Sequence, residues 1–427
     1  MSEKQRFLEK VTAYIRSKEA RNFVSVELQH HIDEARQQWL EKGLTEQQAE
    51  QKAIEQMGDP EKLGIKMNKL HRPKIDWMLL LLFVGALGLG FLPSLIPFKD
   101  TVIPTGMRVI GTSLAVLVTM GLMFIDYRKL SKSGWIPYLC GCIVLLLPFV
   151  FPVFMNGSRY INLGVVTLTI FICLPFFLVA WARFFEQARI PLYVLVVLFI
   201  CPVLLILQAP DLTTVGVYIG MIGVMFLFSS YSRKSKIYTA ILAGLTLVGY
   251  IGVIAFGISQ SYIKPYQLER LLGFLNHSKY ADTSGYMYIT AKEYLSEAGW
   301  FGQSIPAEGI ALPSAHTDFI FVTLTYAFGW TFALFLFVFL LLFVIRMVMM
   351  ALQVHDKFGK LLVVGGITLY SISFFINILM TLGLFPIIGI TLPFIGYGNS
   401  PMLVNATIIG LALSVYRRKN LIRTHPA

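Results

Sequence analysis

Charge is scarce in this 427-residue sequence: Asp, Glu, Lys and Arg together make up 14% of it. A soluble domain carries about 25%. The shortfall excludes an ordinary cytosolic enzyme, and 56% hydrophobic residues exclude a disordered chain. Cysteine is scarce too. Cys140, Cys142, Cys173 and Cys201 all sit inside apolar runs, none at CxxC spacing and none interleaved with histidine. That excludes a disulfide scaffold and a cysteine-based zinc site, and the four read as small hydrophobes. What abounds is apolar and aromatic: 33 Phe, 19 Tyr and 6 Trp, with a mean hydropathy of +0.67. These suit a lipid-facing surface with aromatic belts. The composition predicts a polytopic helical membrane protein with a soluble appendage.

The appendage is the first 76 residues, with 14 Lys/Arg and 13 Asp/Glu. The N-terminus is polar and mixed in charge, unlike a signal peptide, and the first long apolar run starts near Trp77. Apolar residues recur at helical spacing: Phe7, Val11, Ile15; Phe23, Val26, Leu28, Ile32; Ala49, Ala53, Ile54, Met57. Gly43 ends one helix, and Thr45 with Gln48 forms a capping box for the next. Asp59 and Pro60 suit the N-cap and N1 positions of another. The expectation is a small cytoplasmic bundle of three or four helices over 1–76. Lys62, Lys66, Lys69, Arg72 and Lys74 then precede the membrane, either drawn to anionic lipid or forming a solvated basic face.

Ten apolar runs follow, near 77–97, 106–125, 134–152, 162–183, 189–207, 213–230, 237–257, 317–346, 360–382 and 399–416. Each is long enough to cross a core of about 30 Å at about 1.5 Å per residue. The predicted fold class is all-α: ten transmembrane helices over 77–420 plus the N-terminal bundle. An even count places both termini on one side. Loops on that side hold 15 of the 22 Lys/Arg beyond residue 76; the opposite side holds 7, against 8 Asp/Glu. The positive-inside rule makes the first side cytoplasmic. Short separate basic clusters argue against nucleic-acid binding and account for the net charge of +12.

The outer side carries the candidate chemistry. A loop over 258–316 holds Tyr262, Tyr266, Tyr280, Tyr286, Tyr288, Tyr294 and Trp300, suited to sugar or headgroup contact and equally to interfacial anchoring. It ends in Leu312-Pro313-Ser314-Ala315-His316-Thr317-Asp318 at the mouth of an apolar span. A carboxylate costs about 2.5–3.5 kcal/mol at a membrane centre, so Asp318 is either functional or an N-cap or first-turn acid of the helix. The segment Leu384–Pro401 is apolar yet broken repeatedly by Pro and Gly. It reads as a re-entrant, cavity-lining loop or as a plain interfacial hairpin. Arg159, after Asn156-Gly157-Ser158, offers phosphate a planar fork or snorkels to headgroups. Asp211 follows Pro210 between two spans.

These segments, in this order on ten spans, resemble the RodA/FtsW/SpoVE family of peptidoglycan glycosyltransferases over about residues 77–420. His316-Thr317-Asp318-Phe319-Ile320-Phe321 is similar to the family's catalytic-aspartate motif. Gly389-Ile390-Thr391-Leu392-Pro393-Phe394-Ile395-Gly396-Tyr397-Gly398-Asn399-Ser400 resembles its Gly-x-x-Leu-Pro-x-x-Ser-Tyr-Gly-Gly-Ser loop. Pro265-Tyr266-Gln267, Arg270, Phe274-Leu275-Asn276 and Gly285-Tyr286 match its large outer loop; Arg159-Tyr160-Ile161 and Pro210-Asp211 match two further motifs. Met57-Gly58-Asp59-Pro60 resembles the end of a helical prefix domain that precedes some Gram-positive membrane proteins.

The resemblance implies a bacterial cytoplasmic-membrane enzyme that polymerises lipid II at the outer face, in cell shape, division or sporulation. Asp318 is then the general base or a ligand of a divalent cation, Mg or Mn. Arg270 and Arg159 contact pyrophosphate. His316, Thr317, Tyr266, Gln267, Asp211, Tyr397, Asn399 and Ser400 contact substrate. The partners implied are lipid II, an undecaprenyl-pyrophosphate-linked glycan and a class B penicillin-binding protein. The sequence also departs from the family. Thr169-Ile170-Phe171-Ile172 stands where Gln-Pro-Ser-Glu is usual, so an intramembrane Glu–Lys pair is missing, and Ser314 replaces a common Glu. These changes sustain a second reading, a non-catalytic scaffold or sensor of the same fold. A lipid-precursor transporter is a third, opposed by nearly uniform apolar mid-span positions.

Overall fold

The computed structural model describes residues 2–99, 103–150, 153–155, 158–162, 167–209, 211–241, 244 and 273–420; for Glu19, 153–155, 158–159 and 162 it describes the backbone alone. By internal contacts the chain divides into two units, Met1–Asp76 with Val415–Ala427, and Trp77–Ser414.

The first unit contains helices α1 (Glu3–Ala13), α2 (Lys18–Glu41), α3 (Glu46–Met57) and α4 (Pro60–His71). Their starts follow from local chemistry. Ser2 and Gln5 make a capping box, Ser17 caps α2, and Asp59 accepts from Glu61 N at 2.9 Å with Pro60 at N1. Gly43 and Gly58 take φ values of 87° and 79°, which L side chains avoid. One core joins Phe7, Leu8, Val11, Ile15, Val24, Leu28, Ile32 and Ala53. Val26, expected in the core, is 48% exposed. The buried stripe of α2 runs Ala20, Val24, Leu28, Ile32, and Val26 is half a turn off it.

The second unit is built from α5 (Trp77–Leu89), α6 (Thr105–Phe124), α7 (Trp135–Val150), α8 (Leu174–Gln187), α9 (Leu192–Leu207), α10 (Leu212–Leu227), α11 (Tyr286–Glu297), α12 (Ile320–Gln353), α13 (Lys357–Thr381) and α14 (Asn399–Arg418). Among the described residues, six segments are long and apolar enough to cross a membrane, which makes this a multi-pass membrane protein. Helices α7, α9 and α10 have 16 residues each, about 24 Å at 1.5 Å per residue and short of a core of about 30 Å. Residues 242–243 and 245–257 of the expected seventh span lie outside the described residues, so ten spans is not the observed count. Helix α13 packs against α8, α10 and α12. The spanning windows of α13 and α14 are 72% and 78% buried, whereas those of α6 and α12 are 28% buried and expose their apolar faces to lipid.

Two elements depart from the expected pattern. The span expected over 162–183 begins instead in a small antiparallel sheet, β1 (Val153–Met155), β2 (Ser158–Asn162) and β3 (Thr167–Leu168), and its α-helix starts only at Leu174. Met155 pairs with Ser158 across Asn156-Gly157, a dipeptide that is a strong hairpin signal between β-formers such as Val153, Tyr160 and Ile161. Helix α12 is broken at Gly329, with φ 85° and ψ 172°, a region open essentially to glycine. Gln303 N donates to the Tyr326 carbonyl at 2.9 Å, and Trp330 N donates to the Gly299 carbonyl at 3.0 Å. The 299–303 strand of chain thus satisfies the groups the break frees, as an apolar setting demands.

Candidate active site

Asp318 lies two residues before α12. The N-cap is Phe319, with no side-chain cap bond, so Asp318 is not the helix-capping acid that the sequence left open. Its half-buried carboxyl faces Gly389: a Cβ built there would lie 3.8 Å from Oδ2. Burial raises its pKa from 3.8 to about 7. The turn before it is tight. Ser314 has φ 55°, and its carbonyl accepts from Thr317 N at 3.0 Å and Thr317 Oγ1 at 3.2 Å. The Thr317 hydroxyl therefore serves the turn. His316 stacks edge-on against Phe98 at 5.7 Å and lies 6.1 Å from the Tyr397 ring. Burial lowers its pKa, so it is neutral at pH 7. Residues 97–99 are strapped to the outer loop, Ile310 N donating to the Pro97 carbonyl at 3.0 Å and Lys99 N to the Ile310 carbonyl at 3.1 Å.

The Pro/Gly-broken segment covers this turn as non-helical backbone buried in protein. Ile390, Leu392, Phe394 and Ile395 are each at most 3% exposed. Tyr397 N donates to the His316 carbonyl at 2.9 Å, and Gly396 sits so close to the Thr317 carbonyl that a Cβ would lie 2.9 Å from it. Two polar side chains from the spans hold the loop, and both escaped the sequence reading. Arg108 of α6, 3% exposed, donates Nη1 to the Gly396 carbonyl at 3.1 Å and Nη2 to the Phe394 carbonyl. Its Nε is buried without a hydrogen-bond partner. Asn377 of α13, fully buried, donates Nδ2 to the Asp318 carbonyl at 2.8 Å and to the Ile390 carbonyl at 2.7 Å. A charge or amide inside an apolar span is the signal that marks such residues.

Phe394 has φ 64°, a strained region for a bulky residue that costs about 1–3 kcal/mol. Its ring is fixed among Phe83 at 5.5 Å, Phe343 at 5.8 Å and Tyr370 at 6.4 Å. A second link comes from the outer loop: Tyr288, stacked on His277 at 4.3 Å, accepts at its hydroxyl from Ile387 N at 2.7 Å.

The other expected site residues divide. The strands bring Tyr160 into electrostatic range of Asp211 and Asp318; burial first, then those two charges, raises its pKa, so its hydroxyl stays protonated. Asp211 caps α10, Oδ1 accepting from Thr214 N at 2.9 Å and Oδ2 from Thr214 Oγ1 at 2.6 Å. Tyr397 is at the site. Asn399 opens α14 with Oδ1 against α6, 2.7 Å from where a Gly111 Cβ would stand. Ser400 is buried, its Oγ accepting from Thr169 N at 2.6 Å, away from any open surface. Tyr266, Gln267 and Arg270 lie outside the described residues, as does the side chain of Arg159. No group of three His, Cys, Asp or Glu able to hold a metal occurs among the described residues. The donor set fits a cation bound through one carboxylate and a substrate's oxygens, as Mg²⁺ often is, and does not fit a protein-built cage.

Residues 77–421 match the FtsW/RodA/SpoVE family, described as cell cycle protein. The chain is 27% identical over 315 residues to a Geobacter metallireducens protein called "Probable peptidoglycan glycosyltransferase FtsW", covering 69% of this chain and 80% of that one. It is 27% identical over 306 residues to the peptidoglycan glycosyltransferase MrdB of Escherichia coli K12, covering 68% and 80%. A solved peptidoglycan synthase complex that coordinates polymerization and crosslinking contains a chain with the same fold. The TM-score is 0.68 at 24% identity, covering 81% of this chain and 98% of that one. The chain belongs to the FtsW/RodA/SpoVE family.

Proposed function

We propose that the chain is a peptidoglycan glycosyltransferase that polymerises lipid II at the outer face of the bacterial cytoplasmic membrane. Of the relatives named above, one is called a peptidoglycan glycosyltransferase and the other a probable one. The observation that carries the chemistry is Asp318: a half-buried carboxyl facing Gly389 of the loop that packs over its turn, raised by burial to a pKa of about 7. Glycosyl transfer needs the acceptor hydroxyl deprotonated as it attacks the anomeric carbon, and a base poised near the working pH is the efficient one. Asp318 takes that proton, while the bond from the anomeric carbon to the donor's lipid pyrophosphate breaks. Tyr160 and Tyr397 offer hydroxyl donors nearby. Arg159 and Arg270 are proposed to bind the leaving pyrophosphate. In the alternative role, Asp318 would help hold a divalent cation that would supply charge neutralisation. The basic loops favour cytoplasmic termini. A crosslinking partner, a class B penicillin-binding protein, is favoured by the synthase complex that shares this fold.

One observation favours the scaffold reading. Ile172 and the buried Pro175 stand where the family carries its Glu and Lys. The test is lipid II polymerisation by purified protein, with and without a candidate partner and divalent cation, beside Asp318→Ala. Glycan strands from the wild type alone establish the enzyme. Lipid II binding without product in every condition establishes the scaffold.

A further inference from the structure

Asn377 joins two segments remote in sequence through one nitrogen. Nδ2 donates to the Asp318 carbonyl at 2.8 Å and to the Ile390 carbonyl at 2.7 Å, while Oδ1 is buried with no hydrogen-bond partner. The neighbours fix the amide's orientation, since the reverse would set Oδ1 against two carbonyl oxygens. Serving two acceptors from one atom without a charge requires a primary amide. A hydroxyl has one hydrogen, a carboxylate none, and an ammonium brings charge into an apolar span. Packing alone would favour leucine, which has no unpaired polar atom of its own.

The two carbonyls bracket the reacting carboxyl. One belongs to Asp318 itself; the other belongs to Ile390, next to Gly389, which faces Oδ2. We propose that Asn377 is a positioning residue for glycosyl transfer: its two hydrogen bonds set the gap between the Asp318 carboxyl and the Gly389–Gly396 loop. An acceptor hydroxyl meets the carboxyl at that fixed gap. Asn377 acts through Asp318 and touches no substrate, and the proposal rests on Asp318 being the base.

The test uses full-length protein carrying Asn377→Leu or Asn377→Gln. Two readouts are taken: steady-state lipid II polymerisation, and hydrogen exchange of peptides over 312–319 and 386–397. Misplacing a reacting group by about 1 Å costs about 100-fold in rate. Asn377→Leu is expected to lower kcat by about that factor and change KM by less than about twofold, since ground-state binding is untouched. Exchange should quicken in both peptides and stay at wild-type rates in the head. Asn377→Gln, which keeps two hydrogens on one nitrogen, should recover about tenfold of the loss, and it serves if the leucine variant does not fold. Wild-type kcat in Asn377→Leu overturns the proposal. So does a parallel loss of kcat and binding that glutamine does not relieve, for that marks general support of the fold. If the wild type makes no glycan, loop exchange still decides: a response to Asn377→Leu keeps the clamp and refutes the base, and no response refutes the clamp.

Discussion

Replacing Arg108 by methionine should open the covering loop without unfolding the protein. The guanidinium donates to the Gly396 and Phe394 carbonyls, with a longer bond of 3.4 Å to Ile395. Removing it leaves two buried carbonyls unmet, at about 1–3 kcal/mol each. Two terms offset this. The guanidinium's own desolvation disappears, including that of its unpartnered Nε. Phe394, no longer held by its carbonyl, can leave φ 64° and recover about 1–3 kcal/mol of strain. The balance is a local destabilisation of about 2 kcal/mol, or about 30-fold in an opening equilibrium. The amide of Tyr397 reports it, because that N–H is held by the His316 carbonyl under the loop. Its hydrogen exchange should quicken by about that factor in Arg108→Met, and by less in Arg108→Lys, whose ammonium reaches one carbonyl as a point charge. Exchange unchanged in Arg108→Met would refute the assignment of Arg108 as the loop's anchor. Lysine matching arginine would refute the role of the planar fork.

Three further outcomes follow from the same geometry. With Asp318 at a pKa of about 7, kcat/KM should fall as pH drops below 7 and level off above it. The sign for stability is the reverse: the fold favours the neutral carboxyl, so stability is lost between the ordinary value of 3.8 and about 7 as pH rises. A flat rate profile from pH 5 to 8 would remove Asp318 as base. Gly329→Ala puts a Cβ into the Trp300 carbonyl and forces alanine to φ 85°, ψ 172°, so it should cost at least about 1–3 kcal/mol and expose 299–303 to protease. Val11→Ala, at a fully buried position of the head core, should cost about 1–3 kcal/mol. Limited proteolysis should show residues 1–76 loosening while polymerisation by the membrane unit continues.

What the sequence made legible is what periodicity and local chemistry control. The head's helices begin where Ser2, Thr45 and Asp59 can cap them, because capping is decided within three or four residues. The apolar runs gave the membrane helices for the same reason, although run length could not reveal the break at Gly329 or the shortness of α7, α9 and α10. The pairing of 153–155 with 158–160 flanks an Asn-Gly dipeptide, a local signal that the apolar residues beyond it outweigh in favour of one continuous span. Asp318 stood out as a carboxylate beside an apolar run, and its motif pointed to the loop that covers it. The contacts that make it a site did not. Asn377 bonds to carbonyls 59 and 13 residues away, and Arg108 reaches carbonyls more than 280 residues away. Main-chain carbonyls have no residue type, so no motif announces them as partners. A lone Arg or Asn within an apolar span is still a physical signal, because such a group must find acceptors inside the protein. Here the acceptors, the Asp318 carbonyl apart, lie on a loop that cannot make its own ladder, since its Pro and Gly residues prevent a helix. Each side meets the other's unmet need, and Asp318 sits where they join.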